Sequence, residues 1–180
     1  IIHLFRMKIL LGITGSIAAY KAAELTRLFV KEGHDVKVIM SSSSKNFITP
    51  LTMSTLSKHP VCSDFFNKDN GEWVNHVELS AWADNLLIAP CSANTIAKIT
   101  HGICDELLLA SYLSATCPVW IAPAMDRDMF LHPATQKNLS VLVERNVKVI
   151  PPVEGELASG IIGIGRMAEP DTIFKTITSN

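Results

Sequence analysis

Gly12-Ile-Thr-Gly15-Ser16 is the first place in the chain where residue type and spacing could do chemistry: glycines and hydroxyls stand between an apolar run and a helical pattern. Backbone N–H groups at such a turn, with the positive end of the following helix, make a general anion site. Three more polar runs close apolar stretches in the same way: Ser41-Ser42-Ser43, Ser92-Ala93-Asn94-Thr95 and Ala124-Met125-Asp126. Four such ends together say more than any one of them. The first turn is not G-x-x-x-x-G-K-[ST], which excludes a nucleoside-triphosphatase loop, and it lacks the complete G-x-G-x-x-G of dinucleotide sites. A dinucleotide site also prefers an acidic residue after the second strand to hold a ribose hydroxyl, and serines stand there instead. Hydroxyls beside a helix terminus suit one phosphate, so the pattern favours a mononucleotide, with flavin mononucleotide (FMN) the natural candidate.

A second constellation leads nowhere. His76-Val77-Glu78 followed by Pro90-Cys91 imitates the zinc-deaminase pattern H-x-E…P-C-x-x-C, but Asn94 stands where the second cysteine belongs. Zinc would be left with two protein ligands, so no metal site is expected. Cys62, Cys91, Cys104 and Cys117 show no close pairing and read as free thiols.

The elements that must carry these residues follow from hydrophobic periodicity. Near-continuous apolar runs predict strands over 8–13, 36–40, 85–89, 119–122 and 147–150. Between them, helical spacing predicts helices over 17–31, near 50–56, and over 95–101, 105–113 and 135–145, while 61–77 is turn-rich. Unbroken apolar strands alternating with helices indicate a parallel sheet covered on both faces, hence an α/β, flavodoxin-like or Rossmann-like three-layer sandwich. In such a sheet, ligands sit outside the carboxyl ends of the strands, where the four polar runs stand.

Composition narrows the partners. Among 180 residues, Lys+Arg 16 against Asp+Glu 17 leaves no electrostatic footprint for nucleic acid or an anionic membrane. Charged residues make up 18%, below the roughly 25% usual for globular domains, and mean hydropathy is +0.26; both predict oligomerisation. No apolar run approaches the roughly 18 residues of a membrane span, and the opening residues do not form a secretory leader, so a cytoplasmic location is expected. Met7-Lys8 directly precedes the first strand. Residues 1–6 are accordingly read as upstream sequence and 7–180 as a single domain.

Taken in order, these motifs resemble the homo-oligomeric flavin-containing cysteine decarboxylases, most nearly the branch that acts in coenzyme A biosynthesis. The resemblance runs from about residue 8 to 170. It rests on Gly15-Ser-Ile-Ala-Ala-Tyr-Lys21, Asn75-His76-Val77, Pro90-Cys-Ser-Ala-Asn-Thr95 (resembling P-A-S-A-N-T), Pro123-Ala-Met-Asp126 (resembling P-A-M-N) and Gly163-Ile-Gly-Arg-Met167. It implies FMN-dependent decarboxylation of a small molecule, phosphopantothenoyl cysteine, by a homotrimer, sometimes assembled into a dodecamer. It implies that Gly15, Ser16, Ile17, Ser41, Ser42, Ser92, Ala93, Asn94, Thr95 and Ala124 line the flavin site, often between neighbouring subunits. It further implies that His76 is the catalytic base, that Asp126 occupies the position reading the substrate carboxylate, that Asn75, Met125 and Arg166 contact substrate, and that Ser159 to Met167 form a closing flap. Phe47 is either a neighbour of the flavin or a core aromatic.

The chemistry explains the need for these parts. A cysteinyl carboxylate has no electron sink where the carbanion would form; a flavin supplies one, and the protein supplies position, a base and exclusion of water. Imidazole, titrating near 6.5, suits the base.

Two positions depart from the family pattern. Asp126 replaces an asparagine, and an ionised carboxylate repels the carboxylate it should read; the expectation is an Asp126 protonated in the complex, with Arg127 nearby. Ser159, in Ala158-Ser159-Gly160, replaces a cysteine assigned as proton donor when electrons return from the flavin. The decarboxylating half is expected to persist and the reductive half to be impaired. Other readings are a flavin prenyltransferase, which generally lacks the His76 and 90–95 motifs, a peptide cysteine decarboxylase, and a non-catalytic FMN-binding subunit.

Overall fold

A computed structural model describes residues 6–67 and 69–179, so the upstream segment, except Arg6, lies outside the described residues. The strands are β1 (Lys8–Ile13), β2 (Asp35–Met40), β3 (Asn85–Cys91), β4 (Val119–Pro123) and β5 (Lys148–Val149). They form one parallel sheet in the order β2-β1-β3-β4-β5, the flavodoxin-like arrangement. A two-stranded antiparallel ribbon, β6 (Val153–Glu156) and β7 (Ile162–Arg166), stands apart from it.

Strand alternation assigns each side chain to a face. Ile9, Leu11 and Ile13 of β1 pack with Leu25 and Phe29 of α1 (Ala19–Lys31), Met53 of α2 (Pro50–Ser57) and Ile173 of the last helix, Pro170–Thr178. Leu10, Leu86 and Ile121 point the other way. They meet Ile96 and Ile99 of Ala93–His101, Leu107 and Leu108 of Leu107–Ser114, and Leu139 and Leu142 of Pro133–Glu144. Both faces are thus covered, which is why β1, β3 and β4 read as apolar runs rather than alternating ones. With α3 (His76–Trp82) and a short Arg127–Leu131 turn of helix included, the helices among the described residues are labelled α1 to α8 in chain order.

The structure departs from the periodicity at the ends that matter. α1 begins at Ala19, leaving Ser16 and Ile17 in the turn, and its N-cap, Ala18, makes no side-chain cap. β3 runs on to Cys91 and α4 starts at Ala93. The turn-rich stretch holds two isolated bridges, Ile39 with Cys62 and Phe66 with Trp73, and ends in α3, whose N-cap Asn75 accepts from the amides of Val77 and Glu78 at 3.1 Å.

One buried cation ties α1 to the chain entering α8. Lys21 Nζ donates to the Met167 carbonyl at 2.9 Å and to Glu169 Oε1 at 3.0 Å. The hydrogen bond from Lys21, then its charge and that of Arg166, hold the Glu169 carboxyl below its ordinary value of 4.5. A depressed carboxylate stabilises the fold above its unfolded pKa, and that contribution is lost as pH falls through the lower folded value. Glu169→Gln is therefore expected to lower stability near neutrality by about 1 kcal/mol, a modest figure because Glu169 is half-exposed and screened by solvent. Urea unfolding at several pH values should show the difference between wild type and variant shrinking as the medium becomes acid.

Candidate active site

The sheet brings the four polar ends to one edge and fastens them together. Thr14 Oγ1, just past β1, donates to the Pro90 carbonyl at 2.7 Å and accepts the Ser92 amide at 2.9 Å, joining the ends of β1 and β3. Ser92 caps α4 by accepting the Thr95 amide at 3.2 Å. Ser41 starts the 3-10 turn Ser42–Asn46, accepting the Ser44 amide at 3.3 Å and pairing its hydroxyl with Ser43 Oγ at 3.1 Å. Gly15 lies against this turn so closely that an added Cβ would stand 2.5 Å from Ser43 Oγ. The first turn of α1 beside it carries no acidic residue, which leaves the helix's positive end suited to an anion.

Beyond β4, the Met125 amide donates to the Gly165 carbonyl at 3.0 Å. Gly165 has φ +137°, and a side chain there would run into the Met125 carbonyl, so glycine lets β7 cross the sheet edge. The ribbon and the α1 turn enclose a cleft of about 380 Å³, whose lining includes Ser16, Ile17, Tyr20, Met125, Asp126 and Arg166. That volume falls within the range of small-molecule sites. Ile17 offers an apolar surface there, 60% exposed.

Asp126, the residue before α6, accepts a short hydrogen bond from the Ser159 hydroxyl, so the two positions that depart from the family pattern touch each other. This bond, more than the neighbouring Asp128 and Arg127 amides and the Arg127 charge, holds the Asp126 carboxyl below its usual range. The protonated Asp126 expected above belongs to the substrate complex, where a second carboxylate stands beside it. Arg127 does not bridge to it either; its Nε donates to Asp128 Oδ1 at 3.0 Å.

His76 is the first residue of α3, with its ring edge-on to Phe65 and Trp73 at centroid distances of 6.2 and 6.1 Å. Its Nδ1 is buried with no hydrogen-bond partner among the described residues. Neither His76 nor Asn75 lines the cleft; Asn75 lines a separate hollow of about 200 Å³ with Lys37, Trp73 and Glu78. One chain therefore gathers Ser16, Ile17, Ala124, Met125, Asp126 and Arg166 in the cleft, sets Gly15, Ser41, Ser42 and Ser92 to Thr95 along its sheet edge, and holds the histidine elsewhere. Phe47 follows the 3-10 turn and is 47% exposed, which removes the core-aromatic reading. Thr14, Ser43, Tyr20 and Lys21 are site neighbours that fall inside the quoted motifs but were given no role there.

A doubly wound sheet whose strand ends carry glycine and serine turns beside a small-molecule cleft has the architecture of a mononucleotide-binding α/β protein. The chain belongs to the flavoprotein family, whose pattern it matches over residues 3–180. It is 58% identical over 132 residues to the Cysteine/Cysteine sulfinic acid decarboxylase of an unknown prokaryotic organism, covering 73% of this chain and 37% of that one. It is 43% identical over 172 residues to a probable phosphopantothenoylcysteine decarboxylase of Streptococcus mutans, covering 94% of this chain and 96% of that one. The chain spans only about two fifths of the length of several other curated relatives, bifunctional coenzyme A biosynthesis proteins. Among solved structures, a cysteine-to-serine mutant of PPC decarboxylase complexed with pantothenoylaminoethenethiol superposes with TM-score 0.84 at 38% identity, covering 96% of each chain. The FMN binding protein AtHal3 superposes with TM-score 0.80 at 37% identity, over 96% of this chain and 95% of that one.

Proposed function

We propose that this chain holds FMN at the sheet edge and decarboxylates phosphopantothenoyl cysteine, a step of coenzyme A biosynthesis. The observation that carries the reading is the Gly15 cradle: a backbone with no room for a side chain, beside serine hydroxyls and the uncapped start of α1, one residue before Ser16, which lines the cleft. These residues fit a phosphate monoester with an apolar ring system beyond it. Gly15, Ser16, Ser41 and Ser42 hold the phosphate end. Ile17, Phe47, Ala124 and the Ser92-Ala93-Asn94-Thr95 run border the ring. Bound flavin supplies the electron sink that a cysteinyl carboxylate lacks.

The remaining work belongs to side chains of this chain. Arg166 and Met125 meet the substrate in the cleft, with Arg166 the cation that attracts its carboxylate. Asp126, held ionised by Ser159, accepts the N–H of the substrate's α-nitrogen. His76 is the base that takes the proton of the substrate thiol, with Asn75 fixing its helix end. Because His76 stands outside the cleft of its own chain, the complete site is built between subunits of a homo-oligomer, a trimer or an assembly of trimers. Exposed Ile17, Phe47, Leu51, Trp73 and Val77 provide apolar surface for that association. Residues 7–180 act as one flavin-binding domain in the cytoplasm; among the described residues, no helix is long and apolar enough to cross a membrane.

The test is the product of flavin-loaded protein given phosphopantothenoyl cysteine without oxygen. Carbon dioxide is expected, and its absence would refute the proposed reaction. A serine hydroxyl is a far weaker acid than a thiol, and that of Ser159 is already donated to Asp126. The expected product is therefore an enethiol two hydrogens lighter than the saturated cysteamine amide by mass spectrometry. A saturated product would show that Ser159 does not block the return of electrons.

A further inference from the structure

Neither cation of the cleft stands by itself. Lys21 Nζ and Arg166 Nη2 both reach the same atom, Glu169 Oε1, at 3.0 and 3.2 Å. Glu169 itself does not line the cleft. It occupies the N-cap position of α8, yet its carboxylate caps none of the helix amides and turns to the two cations instead. Its backbone is fixed, because Met167 and Ala168, which separate it from Arg166, are buried in the core. Arg166 is confined on another side as well: its stem crosses Gly155 so closely that an added Cβ would stand 3.1 Å from its Cδ. Lys21 has a second anchor of its own, the Met167 carbonyl at 2.9 Å. Two cations on one oxygen repel each other, and the anion between them keeps both in place. Lys21 is buried and cannot leave, whereas the Arg166 side chain is 39% exposed and has solvent to escape into. Without the carboxylate, the guanidinium is the group that moves.

We propose that Glu169 is a positioning residue for substrate recognition: it pins the Arg166 guanidinium beside buried Lys21, so that the remaining N–H groups of Arg166 face the substrate carboxylate. The inference rests on the role proposed for Arg166 and deepens it. A guanidinium carries five N–H donors in a rigid fork, and Glu169 engages only one of its nitrogens. The others are left for a second carboxylate, and a two-point pair with it needs the fork held in one orientation. Charge counting alone makes the opposite forecast. Neutralising Glu169 leaves the site more positive and should strengthen its pull on any carboxylate. Position and charge therefore predict changes of opposite sign.

Calorimetric titration of the flavin-loaded protein with phosphopantothenoyl serine and with phosphopantothenoyl ethanolamine separates them. Neither probe has a thiol to oxidise, and the two differ only in the carboxylate. The wild type is expected to bind the serine probe about tenfold more tightly, or better. Glu169→Gln keeps the reach and removes the charge; Glu169→Asp keeps the charge and shortens the reach. Each should bring the ratio to within about threefold, and if one variant fails to fold the other still decides. A merely structural role would weaken both probes alike and leave the ratio where it was. Equal affinities in the wild type, a ratio that holds or rises in Glu169→Gln, or a full ratio in Glu169→Asp would overturn the assignment. A chain that decarboxylates phosphopantothenoyl cysteine while its ratio ignores Glu169 keeps the proposed function and loses this inference. One whose ratio depends on Glu169 but which releases no carbon dioxide does the reverse.

Discussion

Gly15→Ala protein is expected to fold and yet fail to retain flavin. The added methyl would stand 2.5 Å from Ser43 Oγ, 2.7 Å from Ser43 Cβ and 3.4 Å from its carbonyl carbon, so no rotation of the serine alone relieves the contact. The Ser41–Ser43 turn must move away from the start of α1, separating the hydroxyls from the helix end that together hold the phosphate. Overpacking on this scale typically costs about 1–3 kcal/mol, which corresponds to roughly a 5- to 150-fold loss of affinity. Gly15 lies at the sheet edge rather than between the core layers, so circular dichroism should keep its native signature while the unfolding midpoint falls by no more than about 10 °C. Quenching of FMN fluorescence on titration measures the loss; an affinity within about twofold of wild type would remove the phosphate from this turn.

His76→Asn is expected to do the opposite, keeping flavin and losing turnover. The ring is edge-on to Phe65 and Trp73, and its buried Nδ1 has no partner among the described residues, so little of the fold depends on its hydrogen bonding. Positioned bases contribute about 100- to 10,000-fold in rate, and the single-turnover rate with phosphopantothenoyl cysteine should fall by that much at unchanged FMN content. Single-turnover release of carbon dioxide from the two flavin-loaded proteins decides it. A loss below about tenfold would place the base elsewhere.

The parallel sheet was legible because strands buried on both faces have no room for polar residues; Leu10, Leu86 and Leu87 are fully buried from opposite sides. Its polar ends were legible for the complementary reason, since ligand atoms and helix caps need hydroxyls and glycines there. What periodicity missed is short or set by partners distant in sequence. α3 has only seven residues, held by the Asn75 cap and by Ser80 Oγ, which donates to the Ser111 carbonyl at 2.8 Å. β7 reads Ile-Gly-Ile-Gly-Arg, and its glycines, which suppress a strand pattern, are there because Arg127 and the Met125 carbonyl leave no space. Likewise the Ser159–Asp126 contact has no local signature. Each substitution alone looks like a loss; together they form one hydrogen-bonded pair.

The account rests on a flavin seated at the carboxyl ends of β1, β3 and β4, and the visible spectrum of the wild-type chain titrated with FMN tests that most directly. A yellow protein that takes up FMN to saturation, and whose absorption bleaches when phosphopantothenoyl cysteine is added anaerobically, is the predicted result. A colourless chain that leaves added FMN free in solution, with a spectrum indifferent to the substrate, would contradict it.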